Sequence, residues 1–141
     1  LAIIMLAGMY LYNLALNPNS SKSIVFKKRT EEERKKQEEE KEEAIKWLKQ
    51  NSKDVYIQAK DNASLHAYIM ENKEQSTIWV IVIHGYTGSA DEMVDAIKQY
   101  MEMGYNVLAV NLRGHGKSQG DYIGMGWPDR LDILQWIDYI I

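Results

Sequence analysis

The apolar positions of this 141-residue chain fall into three regimes. Residues 1–16, LAIIMLAGMYLYNLAL, carry no charge at all. As a helix the run is roughly 24 Å long at 1.5 Å per residue, a little short of a ~30 Å hydrocarbon core. Tyr10 and Tyr12 near its end suit an interfacial aromatic belt. The run predicts a membrane anchor or uncleaved signal, with a buried helix and a cleaved signal peptide as the alternatives. It opens at Leu1, inside the apolar stretch, and the chain closes at Ile140-Ile141 in a segment that still reads as helix. The sequence therefore reads as a fragment open at both ends. Asn17-Pro18-Asn19-Ser20-Ser21 is turn chemistry and ends the span.

The second regime, residues 30–50, is almost wholly charged. Glu31 with Lys35 and Glu32 with Lys36 stand at i,i+4, which supports a solvated helix. Only Ala44, Ile45, Trp47 and Leu48 form an apolar patch, so only the end should dock. The a and d positions of a coiled coil are missing. The segment reads as a stalk.

From residue 51 the pattern becomes globular. Residues 54–59 and 65–70 alternate around Lys60-Asp61-Asn62-Ala63 and predict a strand pair with a turn. Residues 77–83 are a continuous β-branched run, expected to be a strand buried on both faces. Ser89-Ala90-Asp91-Glu92 has the form of a capping box opening a helix. Met93, Ile97 and Met101 share a face of that helix, and Gly104 stops it. Residues 105–112 predict another buried strand. Trp127-Pro128 opens a second helix, with Leu131, Leu134 and residues 137–140 as its apolar face. The order β-β-β-α-β-α predicts an α/β fold with a mostly parallel sheet and flanking helices. Three parts follow: an anchor at 1–18, a charged linker at 19–50 and the start of an α/β domain at 51–141.

Charge and composition narrow the function. Residues 22–50 hold 10 Lys/Arg against 8 Glu, and residues 51–141 hold 7 against 12 Asp/Glu. A mildly acidic body without a basic face argues against nucleic acid as a partner. With no cysteine, disulfides, thiolate metal sites and a Cys nucleophile are excluded.

Three motifs compete for residues 111–120. A phosphate loop needs G-x-x-x-x-G-K-[ST]; Gly116-Lys117-Ser118 supplies the end, but Asn111 stands at the first glycine and no helix follows. The dinucleotide pattern G-x-G-x-x-G breaks at Gln119 and again at Asp129. Gly116-Lys117-Ser118-Gln119-Gly120 spells G-x-S-x-G, the nucleophile elbow. An elbow serine sits between a strand and a helix, whereas this strand ends near Leu112 and the residues after Ser118 cannot form the helix. Ser118 is thus read as a loop serine.

The same stretch makes sense another way. IVIHGYTGS (81–89), a helix, then YNVLAVNLRGHGKS (105–118) resembles the α/β-hydrolase superfamily, nearest its serine esterase, lipase and peptidase-like members. With the apolar run and the stalk, the whole resembles a membrane-anchored hydrolase of Gram-positive bacteria. The resemblance covers residues 53–141 and implies the N-terminal half of that fold. It implies that the backbone N–H of Tyr86 forms half of an oxyanion hole, where negative charge develops on a tetrahedral intermediate. His84, Gly85 and Gly88 would shape that loop, Gly85 by turning tightly. Arg113, His115 and Ser118 would brace the second loop. Asn111 departs from the family's usual Asp, which weakens any charge pair with Arg113. His66, on an early strand, is read as structural. In the family's order of nucleophile, acid and histidine, the nucleophile is expected roughly 10–20 residues past Ile141.

The expected function is a serine hydrolase that cleaves an ester, thioester or amide of a small-molecule or peptide substrate, with no cofactor or metal. An Asp nucleophile acting on halides or epoxides, and a non-catalytic tethered binding protein, are the rivals. Lys22, Lys27, Lys28 and Arg29, taken alone, would hold their side of the membrane in the cytoplasm. The resemblance favours the outer face, which is the expectation adopted.

Overall fold

The computed structural model describes residues 1–22, 30–72 and 76–141; Lys27, Lys28 and Arg29 of the basic flank lie outside the described residues. The uncharged run forms helix α1 (Ala2–Leu16), none of whose residues is buried. No helix among the described residues is long and apolar enough to cross a membrane.

Helix α2 (Glu31–Asn51) opens with a capping box at a position the sequence reading passed over. The Glu33 N–H donates to Thr30 Oγ1 at 3.2 Å, and the Thr30 N–H donates to Glu33 Oε2 at 2.7 Å. As its composition predicts, only its last turns dock. Leu48 is fully buried, with Ala44 and Trp47 packed beside it. Lys36 pairs with Glu40 at 3.8 Å on an exposed surface where such a pair adds little, and Lys41 reaches Asp91 of the 3-10 turn at 3.6 Å.

Strands β1 (Lys53–Gln58) and β2 (Ser64–Met70) form an antiparallel hairpin. Asn62 at its tip adopts φ +66, a conformation asparagine tolerates. Strand β3 (Trp79–Ile83) leads through a 3-10 turn, Ala90–Met93, and helix α3 (Val94–Glu102) to strand β4 (Asn106–Val110). Helix α4 (Asp129–Ile140) follows a long loop. The sheet order is β1-β2-β4-β3. Only β3 and β4 pair in parallel, while β1–β2 and β2–β4 are antiparallel. The expected mostly parallel sheet is therefore a mixed one: β3–α3–β4 is the single crossover unit among the described residues, and the hairpin supplies the other strands.

The continuous apolar run of β4 follows from its central place. Val107 and Ala109 face a core shared with Tyr68, Met70, Leu48, Val94 and Ile97. Leu108 and Val110 face the opposite core, closed by Trp136 of α4. Strand β3 has equally apolar sequence but only β4 beside it. Trp79, Val80 and Ile81 are therefore half-buried and Ile83 is exposed, rather than buried on both faces as its sequence predicts.

Two further expectations are corrected. Ser89 makes no capping bond, and α3 is entered through the 3-10 turn instead. The Ala90 N–H there is taken by Asn111 Oδ1 at 2.9 Å, and the Glu92 carboxylate lies over Gly88. The apolar face expected of α4 is largely turned the other way, although Ile140 packs on the core. Leu131 and Leu134 are exposed, whereas Asp129, Asp132 and Trp136 are buried. The aspartates can be buried because each has a donor: Gly126 N–H for Asp129 at 2.7 Å, and the Arg113 guanidinium for Asp132.

Candidate active site

Two loops leave the same end of the sheet, residues 84–89 after β3 and 111–120 after β4. In the first, the Gly88 N–H donates to Gly85 O at 3.0 Å and closes a four-residue turn. The tight bend lies at Thr87, with φ +61, and not at Gly85. A Cβ at Gly85 would meet nothing within 4 Å, so the turn expected of that glycine is not what requires it. Gly88 is the confined one: a Cβ there would stand 3.1 Å from Glu92 Oε2 and 3.2 Å from Gly85 O. Tyr86 occupies the second position of the turn, and its hydroxyl donates to Ala15 O at 2.6 Å.

His84 ties the two loops together. Its Nε2 accepts from the Leu112 N–H at 3.0 Å, which leaves the proton on Nδ1, donated to Gly85 O at 2.8 Å. Burial pushes the pKa of this histidine down, so the neutral ring that both bonds require is the one that persists. The expected bracing role is thereby given atoms. The ring of His115 lies 4.8 Å from that of His84. Its Nδ1 meets Arg113 O at 3.0 Å, and its Nε2 is buried with no partner among the described residues.

The second loop is a bonded platform. Ser118 Oγ donates to Asn111 O at 2.6 Å and accepts from the His66 N–H at 2.8 Å. Both functions of the hydroxyl are committed to backbone, in a residue that is itself buried. That is a strut between β2 and the end of β4, as its poor fit to an elbow implies.

Asn111 does not weaken a charge pair with Arg113, because the two do not pair. Arg113 holds Asp132 through two parallel bonds, Nε to Oδ2 at 2.8 Å and Nη2 to Oδ1 at 2.9 Å. Its Nη1 reaches Asp61 Oδ2 at 2.7 Å. Bonds to Asp132 first, then Asp61, raise the arginine's already high pKa further. These two aspartates escaped the sequence reading; an acidic residue at i+3 within the first turns of a docked helix was the available signal for Asp132.

Asn111 has a different set of partners. Its Oδ1 accepts from Ala90 N–H, so its amide donates to His66 Nδ1 at 2.8 Å. His66 therefore carries its proton on Nε2 and donates to Asp54 Oδ1 at 2.6 Å. An aspartate at 111 could not donate to that ring, which accounts for the amide in physical terms. Gly116 makes room: a Cβ there would lie 2.3 Å from Asn111 Oδ1. Burial lowers the pKa of fully enclosed His66, against the opposing pull of Asp54. For Asp54 burial works upward, but bonds from Lys117 and His66 outweigh it and its pKa falls.

Beside the two loops lies a cavity of about 660 Å³, lined among others by Pro18, Thr87, Gly88, Asn111, His115 and Ile123. It abuts the turn that carries Tyr86. Among the described residues no three His, Asp or Glu side chains converge to hold a metal ion. The arrangement brings two hydrogen-bonded loops together beside that cavity at one end of the sheet.

The chain is similar to several known proteins. A sequence model of the family described as serine aminopeptidase, S33, matches residues 74–138. An esterase of Pyrococcus furiosus superposes with a TM-score of 0.61 at 37% identity, over 67% of this chain and 37% of the esterase. An alpha-beta serine hydrolase homologue from Coxiella burnetii gives a TM-score of 0.53 at 26% identity, over 63% of this chain and 46% of that one. A multifunctional-autoprocessing repeats-in-toxin of Vibrio cholerae is 48% identical over 42 residues, which are 29% of this chain and 1% of the toxin. The chain thus spans less than half the length of each of these proteins.

Proposed function

This chain belongs to the α/β-hydrolase superfamily, and from that premise we propose that it is the N-terminal part of a serine hydrolase that works through an acyl-enzyme. The nucleophile, acid and proton-accepting histidine lie beyond Ile141. The serine attacks an ester, thioester or amide carbonyl and histidine takes its proton. The Tyr86 N–H and an elbow N–H hold the oxyanion, and water releases the acid. Helix α1 anchors the protein in the cell membrane, with the catalytic domain on the outer face.

One observation carries the reading. His84 clamps the turn bearing Tyr86 to the end of β4 through Leu112 N–H and Gly85 O, fixing the loop that an oxyanion hole needs fixed. The bonding of Ser118 supports a nucleophile elsewhere. The test is kinetic: the full-length protein mixed with a p-nitrophenyl ester should release a burst of nitrophenol matching the enzyme concentration. Turnover of an epoxide without ester cleavage would assign an Asp nucleophile instead. No turnover of either would leave a tethered binding protein.

A further inference from the structure

The last carbonyls of a helix have no partner within it, and those of α1 are taken by groups outside it. The Tyr86 hydroxyl donates to Ala15 O at 2.6 Å, and the Ile123 N–H donates to Leu16 O at 2.7 Å. Lys22 Nζ donates to Leu14 O at 2.6 Å and to Asn17 O at 2.8 Å, placing a cation at the negative end of the helix. Tyr86 belongs to the loop after β3, and Ile123 to the stretch between β4 and α4. Both sides of the candidate active site therefore grip the end of one uncharged helix.

Two features extend this contact. Pro18 and Lys22, just past the helix end, line the cavity beside those loops. Pro18 is two residues beyond Leu16, a reach of at most about 7 Å. Apolar exposure also continues past the grip: Met125 is 67% and Trp127 74% exposed, two and four residues beyond Ile123. The Arg130 guanidinium stacks 3.6 Å from the Trp127 ring centroid. An aromatic with a cation against it suits the headgroup layer.

We propose that the cavity mouth and the rim formed by Met125 and Trp127 lie on the bilayer surface where α1 emerges, and that the acyl substrate is a lipid resident in that bilayer. This rests on the anchor and acyl-transfer reading above. Apolar side chains of α1 favour hydrocarbon over water, so the helix fixes the depth of whatever is bonded to its end. The loops are bonded to it directly, and a lipid need rise only about the reach from Leu16 to Pro18 to meet the cavity.

Residues 1–141 hold no cysteine, so a single label in them is clean once any cysteine elsewhere in the full-length protein is replaced by serine. Met125→Cys and Lys53→Cys, the latter at the far end of the sheet, are made in the full-length protein and tagged with an environment-sensitive fluorophore. Vesicles of phosphatidylcholine and phosphatidylglycerol carrying a headgroup-level nitroxide lipid are then added. The expected result is co-sedimentation, with a blue shift and quenching at Met125→Cys alone. Co-sedimentation with no change at either label, or equal changes at both, would overturn the proposed surface. Failure to sediment would instead remove the anchor itself. In the same vesicles a long-chain glyceride ester should be cleaved roughly ten-fold faster than a soluble short-chain ester. Equal rates would overturn the substrate class, whereas cleavage of neither would sink the acyl-transfer reading on which it rests.

Discussion

The two loops at the top of the sheet are built in opposite ways. The loop after β4 is held by buried polar side chains: Asn111 against His66 and Ala90, Arg113 against Asp132 and Asp61, and Ser118 against the backbones of β2 and β4. The loop after β3 leans on the ring of His84 and on the bond from Tyr86 to α1. The first is a platform whose residues should matter chiefly for folding. The second is held by fewer bonds, and its residues should matter chiefly for rate. That division can be tested residue by residue.

The largest effect on stability is expected from Arg113→Ala. It strands Asp132, which is buried, beside Asp61, which is not. Breaking a buried ion pair costs about 3–5 kcal/mol, read as a fall in the urea midpoint with an unchanged slope. A loss below about 1 kcal/mol would mean that the pair acts as a surface one and that the platform is weaker than described. Ser118→Ala comes next. It leaves the His66 N–H and the Asn111 carbonyl without their shared partner, a cost of about 1–3 kcal/mol. Its kcat should stay at the parent value; loss of all turnover in a folded variant would restore Ser118 as a candidate nucleophile.

His84→Ala sharpens the contrast from the other side. Its stability loss should be only about 1 kcal/mol, yet kcat should drop by up to roughly 100-fold, the scale of a 1 Å misplacement of a catalytic group. A large stability loss with kcat intact would reverse the roles of the loops. The smallest effect concerns pH. His66 and His84 have folded pKa values depressed by burial, so the unfolded chain takes up protons that the folded one refuses. Stability should therefore fall as pH drops below the ordinary histidine value of about 6.5. Further acidification through the usual carboxylate range should remove the contribution of Asp54, whose pKa is lowered. A His66→Gln variant should show a shallower decline between neutral and mildly acidic pH in a series of melting curves, and an identical decline would contradict the buried neutral ring.

The helices show what the sequence could convey. At the start of α3 and along it, Met93, Ile97 and Met101 are apolar at helical spacing, and they do pack on the core. In α4 the same reasoning picks the wrong face, because two buried positions are Asp129 and Asp132, whose donors sit in a preceding loop. Periodicity registers that a residue is charged and is blind to its partner. The capping boxes fail and succeed for a similar reason. At Thr30 the Glu33 N–H reaches the hydroxyl, whereas at Ser89 the Glu92 N–H that the box needs donates to the Ser89 carbonyl in the 3-10 turn. The paired motifs around His84 and Arg113 were legible because each follows directly on an apolar strand and carries its glycines at short spacing. How those letters bond was not legible: the chain from Asn111 through His66 to Asp54 joins residues from three strands and loops far apart in sequence.

The most direct measurement of the central claim is to treat the full-length protein with a fluorophosphonate probe and map the modified residue by mass spectrometry. A single labelled serine outside residues 1–141, with Ser118 untouched and labelling slowed by His84→Ala, is the predicted result. Labelling at Ser118, or none on a protein that cleaves esters, would contradict the account.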